Sequence, residues 1–134
     1  MTGPEPLLVV DGANVVGSVP DGWWRDRQGA ATRLRDRLVP LAAAGLPADS
    51  GAPEWAVGVP LDIVLVTEGA ARGVPAVPGV GVEEAPGSGD DLIAALAADA
   101  ADRRCLVVTA DRGLRARVEA AGARCVGPRA VRPR

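Results

Sequence analysis

The chain contains no histidine, tyrosine, phenylalanine or lysine, and all 15 of its basic residues are arginines. Those absences exclude a great deal of chemistry. There is no Ser-His-Asp triad, no Cys-His dyad, no Schiff-base lysine and no histidine general base. Hydrolysis by this protein must therefore run on carboxylates, a metal ion, or both. Cysteine is scarce as well. Cys105 and Cys125 are too few for a disulfide framework or a zinc site, and each reads as a small hydrophobe within a strand. No stretch reaches transmembrane length, and the opening MTGPEP lacks a basic n-region and an apolar h-region. No signal peptide is expected, and a reduced, cytoplasmic protein is the expectation. With only three tryptophans among 134 residues, the core must be built from Ala, Val and Leu. The net charge of −2 supplies no global attraction to nucleic acid or to an anionic membrane.

What is present alternates strand with helix over one domain, residues 1–127, followed by a segment (128–134) that reads as a flexible basic tail. Leu7 to Val10 is a continuous apolar run, as expected of a strand covered on both faces. From about Arg25 to Ala44, Ala30, Leu34, Leu38 and Leu41 recur at helical spacing, and Gly45 supplies a stop. Residues 46 to 60 are rich in proline and glycine and read as a loop. Leu61 to Thr67 is a second strand, and Val80 to Val82 a weak third. Asp90 to Asp102 reads as a helix, Cys105 to Thr109 as a fourth strand, Arg112 to Ala121 as a helix and Ala123 to Val126 as a short last strand. This order predicts a three-layer α/β/α fold around a mostly parallel sheet of about five strands. In such sheets ligands bind beyond the carboxyl ends of the strands.

Acidic residues fall where that rule places chemistry. Asp11 follows strand one, Glu68 closes strand two, Asp90 and Asp91 open a helix, and Asp111 follows strand four. Carboxylates brought together repel unless a cation intervenes or one holds a proton. Hard oxygen ligands with open water positions suit Mg²⁺ or Mn²⁺, completed by substrate phosphate. One ion can polarise a phosphodiester and activate a water; two ions about 4 Å apart would also clamp the leaving oxygen. Each acid also has a plainer reading. Asp90, Asp91 and Asp111 fit helix caps, Asp11-Gly12 fits a tight turn, and Glu68 fits a solvated loop. Asn14 could hold a turn or orient Asp11 or a phosphate. Thr109 and Ser88 stand at a strand end and a helix entry, where hydroxyls either cap or contact the site and its substrate.

Trp23 and Trp24 stand out in a chain so poor in aromatics. One ring fits packing on the helix, while Trp24 beside Arg25 could stack a base. Between Arg25 and Arg37 lie five arginines against two aspartates, a basic strip that serves either as a solvated face or as a phosphate track; Arg112 adds a charge beside Asp111. Arg129, Arg132 and Arg134 would add nonspecific attraction.

Three blocks together carry a family resemblance. VVDGANVVG resembles the strand-Asp-Gly-x-Asn signature of the NYN branch of PIN-like ribonucleases, which includes YacP-like proteins. SGDDLIAAL is similar to the PIN-family aspartate that opens a helix, and LVVTADRGLR to its strand-Thr-x-Asp-Arg segment. The resemblance implies a metal-dependent endoribonuclease with Asp11, Asp90 and Asp111 as acids for Mg²⁺ or Mn²⁺, Asn14 in support and Asp91 as an additional acid. It implies single-stranded RNA as substrate, with mRNA, tRNA and rRNA all open, and leaves open a ribosome or a second copy of the chain as partner. Many PIN nucleases carry another acid on an early helix; Asp26 and Asp36 are available here, but outside any matching motif. Glu68 stands where NYN-type chains often place an acid.

Three rivals compete. A catalytically inactive RNA- or ribosome-binding module would keep the crevice without turnover. A haloacid dehalogenase-type phosphatase would need a second Asp at position 13 and a lysine, and has neither. A dinucleotide-binding domain would need G-x-G-x-x-G after strand one, which is absent.

Overall fold

A computed structural model describes residues 5–132. Five strands form one sheet: β1 (Leu7–Asp11), β2 (Asp62–Thr67), β3 (Val80–Glu84), β4 (Cys105–Val108) and β5 (Arg124–Val126). Their order is β3-β2-β1-β4-β5 and every neighbouring pair is parallel. Helices α1 (Gly12–Gly17) and α2 (Arg27–Ala44) connect β1 to β2, α3 (Gly89–Asp99) connects β3 to β4 and α4 (Arg112–Ala120) connects β4 to β5, while β2 and β3 are joined by a loop with a 3-10 turn at Gly69–Ala71. The fold is therefore the α/β architecture expected from the strand–helix alternation.

Side-chain alternation along the strands divides the core in two. Leu8 and Val10 of β1, Ile63 and Leu65 of β2, and Leu106 and Val108 of β4 face Leu34 and Leu38 of α2. Leu7, Val9, Val66 and Val107 face Ile93 of α3 and Leu114 and Val118 of α4. Both faces of β1 are covered, so all five of its residues are buried, Asp11 included. Burial pushes the Cys105 thiol up to about 11, which keeps it protonated and consistent with a packing role.

Two glycines are fixed by geometry. Gly12 follows β1 so closely packed against β2 that a Cβ there would lie 2.6 Å from the Val66 carbonyl oxygen. Gly45 ends α2 at φ +75°, where a Cβ would meet Val59 at 2.4 Å.

Residues 128–132 correct the expectation of a loose tail from 128 onward. Pro128–Ala130 form a 3-10 turn, and Ala130 and Val131 are buried in the cluster beneath α2. Arg132 donates from Nη1 to the Ser18 carbonyl at 3.2 Å, fastening this segment to the end of α1. Arg134 and the opening residues 1–4, on which the signal-peptide expectation bears, lie outside the described residues. Among the described residues, no helix is long and apolar enough to cross a membrane.

Candidate functional site at the carboxyl edge of the sheet

β1 and β4 are neighbours, with Val10 opposite Val108, so Asp11 and Thr109 leave the sheet side by side. Asp11 is 5% exposed and Thr109 fully buried. The Thr109 hydroxyl donates to Asp11 Oδ2 at 2.9 Å, and the Asn14 amide N–H donates to Oδ1 at 3.3 Å. Asp11 thus caps α1 as well as ending β1. Both of these hydrogen bonds come from neutral groups. Asn14 Oδ1 in turn accepts from the Ala110 N–H at 2.8 Å, tying the β1–α1 corner to the exit of β4. The side chain of Asn14 therefore braces the exit of β4, and only its backbone N–H reaches Asp11; neither expected role, bonding its own backbone or orienting Asp11 through the side-chain amide, is the one seen.

Thr109 is a hub. Its hydroxyl oxygen also accepts from the Asp111 N–H at 3.1 Å, and its carbonyl accepts from Arg115 Nε at 3.0 Å. The motif gave no role to Arg115; its position on the first turn of α4, facing back toward the strand, was the available signal. Asp111 caps α4, accepting from the Leu114 N–H at 2.9 Å through Oδ1, so its plainer reading holds in full. Ser88, not an aspartate, caps α3, its hydroxyl accepting from the Asp90 N–H at 3.2 Å. Asp90 is therefore a first-turn residue with its carboxylate uncommitted to the cap. Glu68 is not a solvated loop residue: it is half-buried, and Oε2 accepts from the Gly89 N–H at 3.3 Å at the entrance to α3.

The electrostatics show which acids share a neighbourhood. Burial pushes the Asp11 carboxyl above its ordinary value; the Thr109 hydroxyl and Asn14 amide pull it back, while Asp90 and Glu68 push it up again. Burial also raises Asp90, followed by repulsion from Asp111, Glu68 and Asp91, with Arg117 opposing. Asp11, Glu68, Asp90 and Asp111 are thus linked through mutual repulsion. Asp91 is directed elsewhere, in an exposed ion pair with Arg117 at 3.1 Å. Asp26 caps α2 through the Gly29 N–H, and Asp36 pairs with Arg35, so neither early-helix acid joins the group.

The donor set has the hard-oxygen chemistry of a magnesium or manganese site. Among the described residues, however, no three metal-ligating side chains converge closely enough to hold an ion by themselves. Such a set fits an ion held by one or two carboxylates, with waters and substrate phosphate completing it, rather than an all-protein cage.

The arginines are distributed differently from a single track along α2. Arg35 bonds Asp36 and the Pro75 carbonyl, and Arg37 has a buried Nε without a partner. Arg25 lies over the Trp24 ring at 5.8 Å and Arg27 over Trp23 at 5.2 Å. Trp24 is 51% exposed, an available stacking surface. Arg112 begins α4 and is exposed. On the β5 side of the same edge, a groove of about 850 Å³ is lined by Arg115, Arg129 and Arg132 together with Asp49.

This five-stranded parallel sheet, with acids beyond the carboxyl ends of its central strands, has a counterpart of the same fold among solved structures. Among solved structures, the chain is similar to Rae1 (YacP) from Bacillus subtilis, crystallised in a Trp-to-Leu mutant form. The TM-score is 0.64, and the match covers 92% of this chain and 70% of that one at 19% sequence identity. No family model matches the chain, and no curated protein matches it in sequence.

Proposed function

We propose that the protein is a Mg²⁺- or Mn²⁺-dependent endoribonuclease that hydrolyses single-stranded RNA at the carboxyl edge of the sheet. The observation that carries this reading is Asp11, a buried carboxylate at the carboxyl end of the central strand that is bonded only by neutral groups, with Glu68, Asp90 and Asp111 placed at the same edge. A buried carboxylate in that setting is stabilised by a cation. Asp11 and Asp90, with Asp111 beside them, would hold the ion, which when bound supplies Lewis acidity toward a phosphoryl oxygen and lowers the pKa of a water. Thr109 and Asn14 fix the Asp11 carboxylate in orientation, and Arg115 locks Thr109 from the far side. The groove of Arg115, Arg129 and Arg132 gives the phosphate backbone a path toward the acids.

A second reading is an RNA-binding module without turnover. It is favoured by the commitment of Asp111 to its cap and of Asp91 to Arg117.

The test is incubation of the purified protein with single-stranded RNA and Mn²⁺. Cleavage is expected, and is expected to disappear with EDTA and with Asp11→Asn. Cleavage that survives both eliminates the mechanism. Retention of RNA without cleavage selects the second reading.

A further inference from the structure

A separate pocket of about 330 Å³ opens on the other face of the sheet edge. It is lined by Gly12, Val16, Trp23, Arg27, Ala31 and Thr67, among others. Its volume is at the small end of the range for ligand sites, about 300–1,000 Å³, and suits one base with its sugar better than a length of strand. Gly12 lets α1 lie tight against β2 at the pocket's edge, and the small Ala31 side chain of α2 lines it. One wall is the Trp23 indole with the Arg27 guanidinium over it at 5.2 Å, the combination of aromatic face and cation on which bases stack.

The second, independent observation is Thr67. It is 1% exposed, and its hydroxyl has no hydrogen-bond partner. Strand alternation settles where the side chain points: Ile63 and Leu65 face the α2 side, so Thr67 faces that side too, whereas Val66 and Glu68 face α3. An orphaned buried hydroxyl costs free energy unless something satisfies it. Thr67 is among the residues that line the pocket, next in sequence to Glu68 of the acidic group. A hydroxyl both donates and accepts, so it can meet a carbonyl or an amino group on the edge of a base.

We infer that this pocket is a nucleobase subsite, in which a nucleotide flanking the scissile phosphate stacks on Trp23 and Arg27 and hydrogen-bonds the Thr67 hydroxyl. The assignment rests on the ribonuclease reading for its biological meaning, but it can fail or stand separately. Asp11 follows the alternation of Leu7 and Val9 toward the α3 side of the β1–β2 edge, the pocket opens on the α2 side, and Glu68, which also lines the pocket, stands at the boundary between them. A strand crossing that edge therefore presents its phosphate to Asp11 and turns one base over Gly12 into the pocket.

The experiment is a titration of the ¹⁵N-labelled protein with AMP, GMP, CMP and UMP in EDTA, followed by NMR, so that neither metal nor turnover is needed. Saturable shifts are expected at the Trp23 indole N–H and at the amides of Gly12, Thr67 and Gly69. Thr67→Val is expected to weaken that binding about fivefold, as for one lost hydrogen bond, while leaving the melting temperature unchanged or raised. Trp23→Leu is expected to abolish the binding. Absence of shifts at these amides for all four nucleotides overturns the assignment, as does Thr67→Val binding with wild-type affinity. RNA cleavage in the absence of nucleotide binding would remove the subsite and keep the nuclease. Nucleotide binding here combined with RNA cleavage that survives EDTA and Asp11→Asn would do the reverse.

Discussion

Asp11 concentrates the site's chemistry in one residue. Its carboxyl is raised by burial first, then by Asp90 and Glu68, against the two hydrogen bonds that lower it. A carboxyl whose folded pKa exceeds its unfolded value holds its proton longer in the native state. Its contribution is therefore fully present below the ordinary value of 3.8 and is lost as pH rises through the raised one. In metal-free buffer, Asp11→Asn is expected to remove that loss and to gain stability relative to wild type from pH 4 toward neutrality. Urea titrations of both proteins across this range check it, and a wild type that gains the more from the rise in pH contradicts it. The sequence made Asp11 and Thr109 legible because polar residues ending an apolar strand are conspicuous, and Asn14 by its place in the Asp-Gly-x-Asn segment that follows. Thr67 ends its strand in the same way and carried the same signal. Partner choice was not legible for Asp91, whose pairing with Arg117 depends on how α3 and α4 lie against each other, whereas the Ser88 cap is a local contact that its place at the helix entry already offered.

Elements were legible where periodicity was strong and local. β1, β2, β4 and α2 follow directly from apolar runs and helical spacing, and Gly45 marks the end of α2. The segment after β5 was misjudged because PRAVRPR is short, basic and proline-containing. Only the fold reveals that Ala130 and Val131 fill space beneath α2. Val131→Ala removes two buried methyl groups and is expected to cost about 1–2 kcal/mol, at about 0.8 kcal/mol for each. A change within about 0.3 kcal/mol by chemical denaturation would mean that the segment does not belong to the core. Arg132, bonded to Ser18, holds the segment against α1 and so couples the arginine-lined groove to the corner that carries Asn14.

At the scale of the whole molecule, the sheet edge is ordered by charge. Arginines lie on the β5 side, carboxylates in the centre, and an aromatic-cationic pocket beside β2. The strand order that creates this arrangement was not readable from sequence, because adjacency of β1 and β4 joins residues nearly a hundred positions apart. If the ion binds only the native state, the protein gains stability by mass action, about 2.7 kcal/mol at a hundredfold excess over Kd. Mn²⁺ is therefore expected to raise the melting temperature of wild type in a concentration-dependent manner and to leave Asp11→Asn unmoved. Equal shifts in both proteins would place the ion away from Asp11.

The position of β1 has a cost during synthesis. The central strand emerges first, yet its β4 neighbour is made only after residue 104, with Leu7 meeting Cys105 and Val9 meeting Val107. Until then one side of its apolar run, Leu7 to Val10, has no hydrogen-bonded mate on the nascent chain, so the growing polypeptide is most prone to sticking to its neighbours while Asp11 has already been translated.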